Sequence, residues 1–424
     1  MRPKVFRDPV HNAIALERDD PGDRLLLALI DTPELQRLRR IRQLGLAGLV
    51  FHGAEHSRFT HSLGAMHLAR RILEAVRGQL ELGPDERTAV LAAALLHDLG
   101  HGPLSHNGEG LWGGRHEEWS SRLVLDPGTA VHQLLAAHEP TLPRRVDELV
   151  RGVARPRTLG KIVSGQLDCD RLDYILRDGW ALGVSVTFDL TRLLGMVLID
   201  QIEDRLVIDR RGHDAVEAYL IARYHLFRSV YHHKTVRAAG AMLGAAVRRA
   251  SLLVASGRLS PGGVAPGLAR VLGGGSPTLG EYLALDDGDL WSALKVWAGA
   301  TDPLLARLAG GLLHRRLYKG LQVVRQDPAA QAAQLARARD LLRCAGHDPD
   351  FELLVDTARD QPYRPYSPAE LGPEGIFVRW PDGNREISET SGVVRSLLQE
   401  TTDTRWFVPE ELRPELRRLL GATA

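Results

Sequence analysis

The run TAVLAAALLHDLGHGPLSH, residues 88 to 106, constrains this chain more than any other stretch of it. Eight apolar residues, Ala89 to Leu96, lead directly into His97 and Asp98, with His101 and His106 close behind. So apolar a segment predicts a helix buried nearly all round, and Gly100 marks where it ends. A carboxylate there is doubly disfavoured. Burial penalises its charge, and the C-terminal end of a helix carries partial negative charge of its own. Something cationic has to lie against Asp98. An arginine would serve, and so would a metal ion. The other His-Asp pairs, His213-Asp214 and His347-Asp348, sit in polar, glycine-flanked settings where surface or capping roles are the default.

Further ligand candidates exist. SRFTHSLGAMHLARRIL places His61 at the start of a second helix, and SGQLDCDRLDYILRDG places Asp168, Asp170 and Asp173 around a third. At ~100° per residue, Asp170, Asp173, Tyr174 and Arg177 share one face, opposite a buried stripe of Leu172, Ile175 and Leu176. Two imidazoles and two carboxylates with water positions left open suit a divalent first-row metal, Mn or Fe, with Mg, Ni and Co also open. A closed structural zinc site would more often use cysteine.

The 424 residues suffice for one large or two ordinary domains, and a formal net charge of +1 gives no nucleic-acid or membrane footprint. Cys169 and Cys344 are too few for a disulfide framework, which predicts a reducing, cytoplasmic setting. The charged, proline-containing start MRPKVFRDPVH does not fit a signal peptide, and the apolar runs fall short of the ~20 residues of a membrane span. Periodicity predicts helices over roughly 31–43, 60–80, 85–98, 164–178, 213–252 (broken), 289–300 and 329–344, with strands near LVFH, RLVID, FELLVDTA and GIFVRW. Gly/Pro-rich residues 257–277 read as a long connection, and 359–375 as a second punctuated segment. The expectation is a mainly α fold: a core over 1–256, then a helical extension and a small α+β lobe over 257–424. There is no P-loop, G-x-S-x-G elbow, H-E-x-x-H or G-x-G-x-x-G.

Taken in order, His61, His97-Asp98 and Asp170 resemble the H…HD…D signature of the HD-domain phosphohydrolases. With KVFRDPVHNAIAL, IDTPELQRLRRIRQLG, SRFTHSLG, LLHDLGHGPLSH and LDCDRLDYILRD, the chain looks like the deoxynucleoside triphosphate triphosphohydrolases, a group that includes dGTPase-like enzymes and the vertebrate SAM-and-HD-domain enzyme. The likeness is strong from residue 4 to about 240 and weaker beyond.

That resemblance implies a helical HD core, four metal ligands (His61, His97, Asp98, Asp170), and hydrolysis of a dNTP to deoxynucleoside plus triphosphate. It puts His101, His116 and Glu117 beside the α-phosphate, with His106 nearby and Glu109 orienting a catalytic histidine; imidazole suits such work because its pKa of ~6.5 lies near working pH. It assigns Arg58, Arg171, Arg223, Tyr231, His233 and Lys234 to the triphosphate or sugar, Gln43 and Leu44 to the deoxyribose, and Tyr174 and Asp178 to the sugar and its 3′-hydroxyl. It also matches Lys4, Val5, Asp31, Gln36 and Arg39 to a guanine-nucleotide effector site at a homo-oligomer interface, although DTPELQRLRRIRQLG would equally make an ordinary amphipathic helix. Arg7 departs from that pattern, standing where the vertebrate enzyme has a small polar residue used for a second activator. Three other readings stay open: a 5′-nucleotidase or second-messenger hydrolase on the same scaffold, a two-iron redox enzyme, and a non-catalytic nucleotide sensor.

Overall fold

A computed structural model describes residues 1–324, 327–363 and 375–421. It opens with an antiparallel hairpin, β1 (Lys4–Asp8) and β2 (Asn12–Leu16), in register from Lys4 against Leu16 to Asp8 against Asn12. Asn12 enters the left-handed region at φ 64°, which asparagine tolerates. Helices follow. Pro21–Ile30 starts on an Asp20 cap with proline in its first turn. Arg58–Ala75 packs along both Pro84–Leu96 and Cys169–Leu182, so the three segments that carry ligand candidates form one layer.

Thr88 to Leu96 are buried without exception, and His97 caps the helix at its C-terminal end. Cys169–Leu182 starts later than periodicity predicts, because the Asp168 side chain accepts the Arg171 N–H as an N-cap; Gly183 ends the helix in left-handed conformation. The polar face of this helix is buried too: Asp173 and Arg177 are closed off from solvent, because that face meets Arg58–Ala75.

Four apolar clusters hold the described residues, the smallest being Ala47, Ala54 and Val236. The largest gathers the hairpin residues Ile14 and Leu16, the helices up to His213–Leu226, and Val378 and Ile387 from near the C-terminus. The second centres on Lys234–Ala255, Asp287–Ala298 and Pro303–Leu313 and reaches back to Leu104, Trp112 and Trp119. By length and composition Lys234–Ala255 could cross a membrane; here it is a packed core helix, with Ala238, Met242, Leu243 and Ala246 buried. The third lies in a small α+β lobe.

Strands β3 (Val197–Asp200), β4 (Arg205–Asp209), β5 (Lys319–Val323), β6 (Leu354–Asp360), β7 (Phe377–Trp380), β8 (Gly383–Glu386) and β9 (Thr401–Val408) build two sheets, ordered β3-β4-β7-β8 and β5-β9-β6. In the first, β7 pairs parallel to β4, which joins the chain's last quarter to its helical core. In the second, Trp406 and Val408 pack on Ala338 and Leu342 of the helix Pro328–Cys344.

The fold is mainly α, as the sequence implies. LVFH (49–52) is no strand: Leu49 ends the 3-10 helix Gly45–Leu49, and Val50 and Phe51 follow, packed against Ala47, Ala54 and Val236. The expected helix 31–43 is a short α-helix, Pro33–Arg37, that tightens into 3-10. Residues 213–252 break at a π-turn, Phe227–Tyr231. The 257–277 connection contains the helix Pro266–Leu272, anchored by buried Leu268 and Leu272. Most of the punctuated segment 359–375 lies outside the described residues.

Candidate metal centre and active site

The layer of three helices brings four side chains to one point. His61 Nε2 lies 3.2 Å from His97 Nε2, 3.1 Å from Asp170 Oδ1 and 3.5 Å from Asp98 Oδ2. His97 Nε2 lies 3.4 Å from Asp98 Oδ1 and 3.6 Å from Asp170 Oδ1. Ligand atoms held ~2.1 Å from a common ion sit roughly 3.0 to 3.4 Å apart, so the spacing fits one cation.

The hydrogen bonds of the two histidines accommodate one. His61 Nδ1 faces Asp173 Oδ2 at 2.8 Å and His97 Nδ1 faces the Ala94 carbonyl at 2.9 Å. Each imidazole therefore carries its proton on Nδ1 and presents an Nε2 lone pair. Two such lone pairs face each other among carboxylate oxygens, and acceptors alone cannot satisfy one another. The field at this point draws positive charge, whether a proton or a metal ion. Burial opposes protonation of His61, yet hydrogen bonds to Asp170 and Asp173 and the charge of Asp98 raise its pKa to about 10. His97 is raised against burial by Asp98 and Asp170. These residues fit a divalent cation.

The arginine alternative holds as well. Arg58, almost completely buried, donates from Nη1 to Asp98 Oδ2 and from Nε to Ser105 Oγ at 2.8 Å. Although burial opposes the charge of Asp98, Arg58 and the neighbouring histidines hold its carboxyl well below the usual range. Asp98 thus shares Oδ2 between Arg58 and His61, while Oδ1 faces His97 and His101.

Beyond the ligands lies a second histidine group. The rings of His101 and His116 stack at 3.8 Å, with His106 edge-on to both. Glu109 organises them. Its Oε1 accepts the His116 backbone N–H at 2.9 Å and lies 2.6 Å from His116 Nδ1, while Oε2 lies 3.0 Å from His106 Nδ1. Burial opposes the Glu109 charge, but hydrogen bonds from His106 and His116 hold its carboxyl far below the usual range. Glu117 sits 3.4 Å from His116 Nδ1 and binds Arg115 at 2.6 Å. Burial, with Arg58 alongside, holds His101 well below its ordinary pKa. Glu109 engages both Nδ1 atoms, which leaves the Nε2 atoms of His106 and His116 outside that contact.

A cavity of about 380 Å³ adjoins these groups, and Gln43, Leu44, Arg58, His106, Tyr174, Asp178 and Tyr231 are among its walls. Asp178 is held from both sides, by His56 Nε2 at 2.7 Å and by the Tyr231 hydroxyl, which donates at 2.5 Å. The buried Gln43 Oε1 has no hydrogen-bond partner among the described residues. Arg171 and Arg223 converge elsewhere, on residues 165–166: Arg171 donates to the Gly165 carbonyl and Arg223 to Gln166 Oε1 at 3.3 Å. His233 caps the helix that Lys234 begins, and Lys234 lines a separate basic cleft with Arg315, Lys319 and Arg413. Among the effector candidates, Arg39 donates to Gln36 at 2.8 Å and stacks on Phe59, whereas Lys4, Val5 and Asp31 stand exposed.

Several contributors escape a reading of the sequence. Asp173 is noted there only as one of three nearby carboxylates, yet it orients His61. Arg177 and His11 hold Asp173 in turn, Asp8 holds Arg177 and the His11 backbone, His56 holds Asp178, and Ser120 ties the His97 carbonyl to the Gly100 N–H. DPVH and GAEHSRF do contain the histidines, but nothing local says what they meet.

Comparison with known proteins agrees with this geometry. A family model described as HD domain matches residues 58–159, and one described as HD associated region matches 188–261. The chain is 36% identical over 435 residues to an uncharacterized protein, YwfO, of Bacillus subtilis, covering 99% of this chain and 98% of that one. It is 32% identical over 270 residues to human deoxynucleoside triphosphate triphosphohydrolase SAMHD1, a match that spans 54% of this chain and 42% of that protein. The crystal structure of a phosphohydrolase from Bacteroides thetaiotaomicron superposes with a TM-score of 0.81 at 29% identity, covering 96% of this chain and 100% of that one.

Proposed function

Because this chain belongs to the HD-domain phosphohydrolase superfamily, we propose that it hydrolyses deoxynucleoside triphosphates to deoxynucleoside and triphosphate. The observation that carries this reading is a shared residue. Arg58 binds the ligand Asp98 and also lines the cavity that contains Tyr174, Asp178 and Tyr231, so a nucleotide seated there has its phosphates at the cluster. The triphosphohydrolase relatives, matched over about half of this chain, support the same substrate class.

His61, His97, Asp98 and Asp170 would hold the divalent ion, whether Mn, Fe, Mg, Ni or Co. Bound there, it would polarise a phosphoryl oxygen and lower the pKa of water. The remaining work falls to the protein's own residues. Water oxygen attacks the α-phosphorus, the bond from phosphorus to O5′ breaks, and O5′ needs a proton. His116, oriented through Nδ1 by Glu109, delivers it from Nε2. His101, neutral and buried between Asp98 and His116, positions the α-phosphate. Asp178, fixed by His56 and Tyr231, accepts a sugar hydroxyl, while Leu44 and Tyr174 pack on the deoxyribose. Homo-oligomeric assembly, a nucleotide effector at Lys4, Val5, Asp31, Gln36 and Arg39, and a cytoplasmic setting belong to the same proposal.

The test is a panel of each dNTP and its matching rNTP, with the metal varied and products identified. Equimolar deoxynucleoside and tripolyphosphate, with rNTPs turned over more slowly, is the expected result. Orthophosphate released from monophosphates would favour the nucleotidase reading. Binding without turnover in every metal would favour a sensor.

A further inference from the structure

We propose that the N-terminal hairpin is part of the metal-binding apparatus: His11, in the turn between β1 and β2, is a positioning residue that, with Arg177, locks Asp173 and through it His61. The proposal rests on the reading of His61 as a metal ligand.

Asp173 is completely buried and its two oxygens meet four nitrogens. Oδ2 accepts Arg177 Nε–H at 2.8 Å and faces His61 Nδ1 at 2.8 Å. Oδ1 accepts Arg177 Nη2 at 3.0 Å and faces His11 Nε2 at 2.6 Å. The connection closes into a ring. Asp8 Oδ2 accepts Arg177 Nη1 at 2.9 Å, and Asp8 Oδ1 accepts the backbone N–H of His11 at 2.9 Å. Gly64 makes room for it, since a Cβ there would stand 1.9 Å from Asp173 Oδ1 and 2.4 Å from Arg177 Nη2.

A ligating histidine needs its far nitrogen fixed, because that bond sets both ring orientation and tautomer. A carboxylate with every lone pair engaged cannot swing, so His61 is held with Nε2 towards His97 and Asp170. Without His11, Oδ1 keeps only the arginine and gains rotational freedom, while the Arg177 ion pair survives. Ile14 and Leu16 anchor β2 in the apolar core, whereas on β1 only Asp8 is buried, so the polar ring is a main tether of the first strand and the turn. Metal binding should therefore steady the hairpin, as linkage requires of any two coupled equilibria.

Two measurements on the full-length chain decide it: Mn²⁺ affinity, and hydrogen exchange of amides 4–16 with and without Mn²⁺. His11→Ala should weaken Mn²⁺ binding about 10- to 100-fold. His11→Gln, whose amide nitrogen reaches the same oxygen, should recover most of it. Mn²⁺ should slow hairpin exchange in wild type and lose that effect in His11→Ala. If His11→Ala does not fold, Asp8→Asn, which loosens the same ring, should weaken Mn²⁺ binding and uncouple exchange. Wild-type affinity in the His11→Ala or Asp8→Asn protein, or hairpin exchange indifferent to Mn²⁺ in wild type, overturns the proposal. A wild type that binds no divalent metal overturns the metal centre itself, and this proposal with it.

Discussion

At the scale of single residues, carboxylates placed behind the histidines decide what those histidines can do. Glu109 holds His106 and His116 by Nδ1, as Asp173 holds His61. Glu109→Gln would keep the shape but lose the charge that fixes the His116 tautomer. The account expects kcat to fall about 100-fold with bound metal unchanged, as checked by steady-state kinetics beside elemental analysis. A loss of metal equal to the loss of activity would move Glu109 into the metal site. His61, His97, Asp98 and Asp170 were legible because their motifs are local and chemically unusual. Their supports were not: His11 meets Asp173 across 162 residues and His56 meets Asp178 across 122, separations that no pattern in the chain encodes.

At the scale of elements, the apolar helix was legible to within a residue or two, since burial on all sides leaves a continuous apolar run. The helix Cys169–Leu182 was harder. Periodicity puts Asp170, Asp173, Tyr174 and Arg177 on one face, but not that this face packs against Arg58–Ala75, where Arg177 and Asp173 pair and are buried. LVFH misled because a short apolar run reads alike as strand or tight turn.

Arg58–Ala75 carries a pH response of its own. Burial, with His11 and two arginines nearby, lowers the pKa of His67 from 6.5 to about 4. Between those values the unfolded chain binds more protons at this site than the folded one, so stability falls as pH drops from 6.5 towards 4. His67→Gln should flatten the drop in Tm across that window in thermal scans; an unchanged profile would assign the acid sensitivity elsewhere. A second prediction concerns the turn after the apolar helix. A Cβ on Gly100 would stand 2.1 Å from the His116 carbonyl and 2.2 Å from the Ser120 N–H. Because that clash is backbone on backbone, Gly100→Ala should lower both Tm and metal content.

At the scale of the whole molecule, residues 282–287 clasp the turn that bears the outer histidines. Tyr282 donates to the Gly100 carbonyl at 2.6 Å, and Asp287 accepts the N–H groups of Leu104 and Arg42. Arg37, buried, donates to the Leu285 and His101 carbonyls. The helical extension is thus wired to the turn that bears His101 and His106, which the Gly/Pro-rich connection before it conceals in the sequence. Calorimetry should show these parts unfolding in one transition, and Tyr282→Phe should cost about 1 kcal/mol while lowering turnover. Two separated transitions would contradict that wiring.

The central claim is that His61, His97, Asp98 and Asp170 form the centre at which a deoxynucleoside triphosphate is hydrolysed. Tripolyphosphate release from a dNTP in the presence of a divalent metal, compared between wild type and the His97→Ala/Asp98→Ala double variant, tests it most directly. The account predicts release by wild type that chelation abolishes, and none by the folded double variant. Tripolyphosphate formed at the wild-type rate without those two side chains would contradict it.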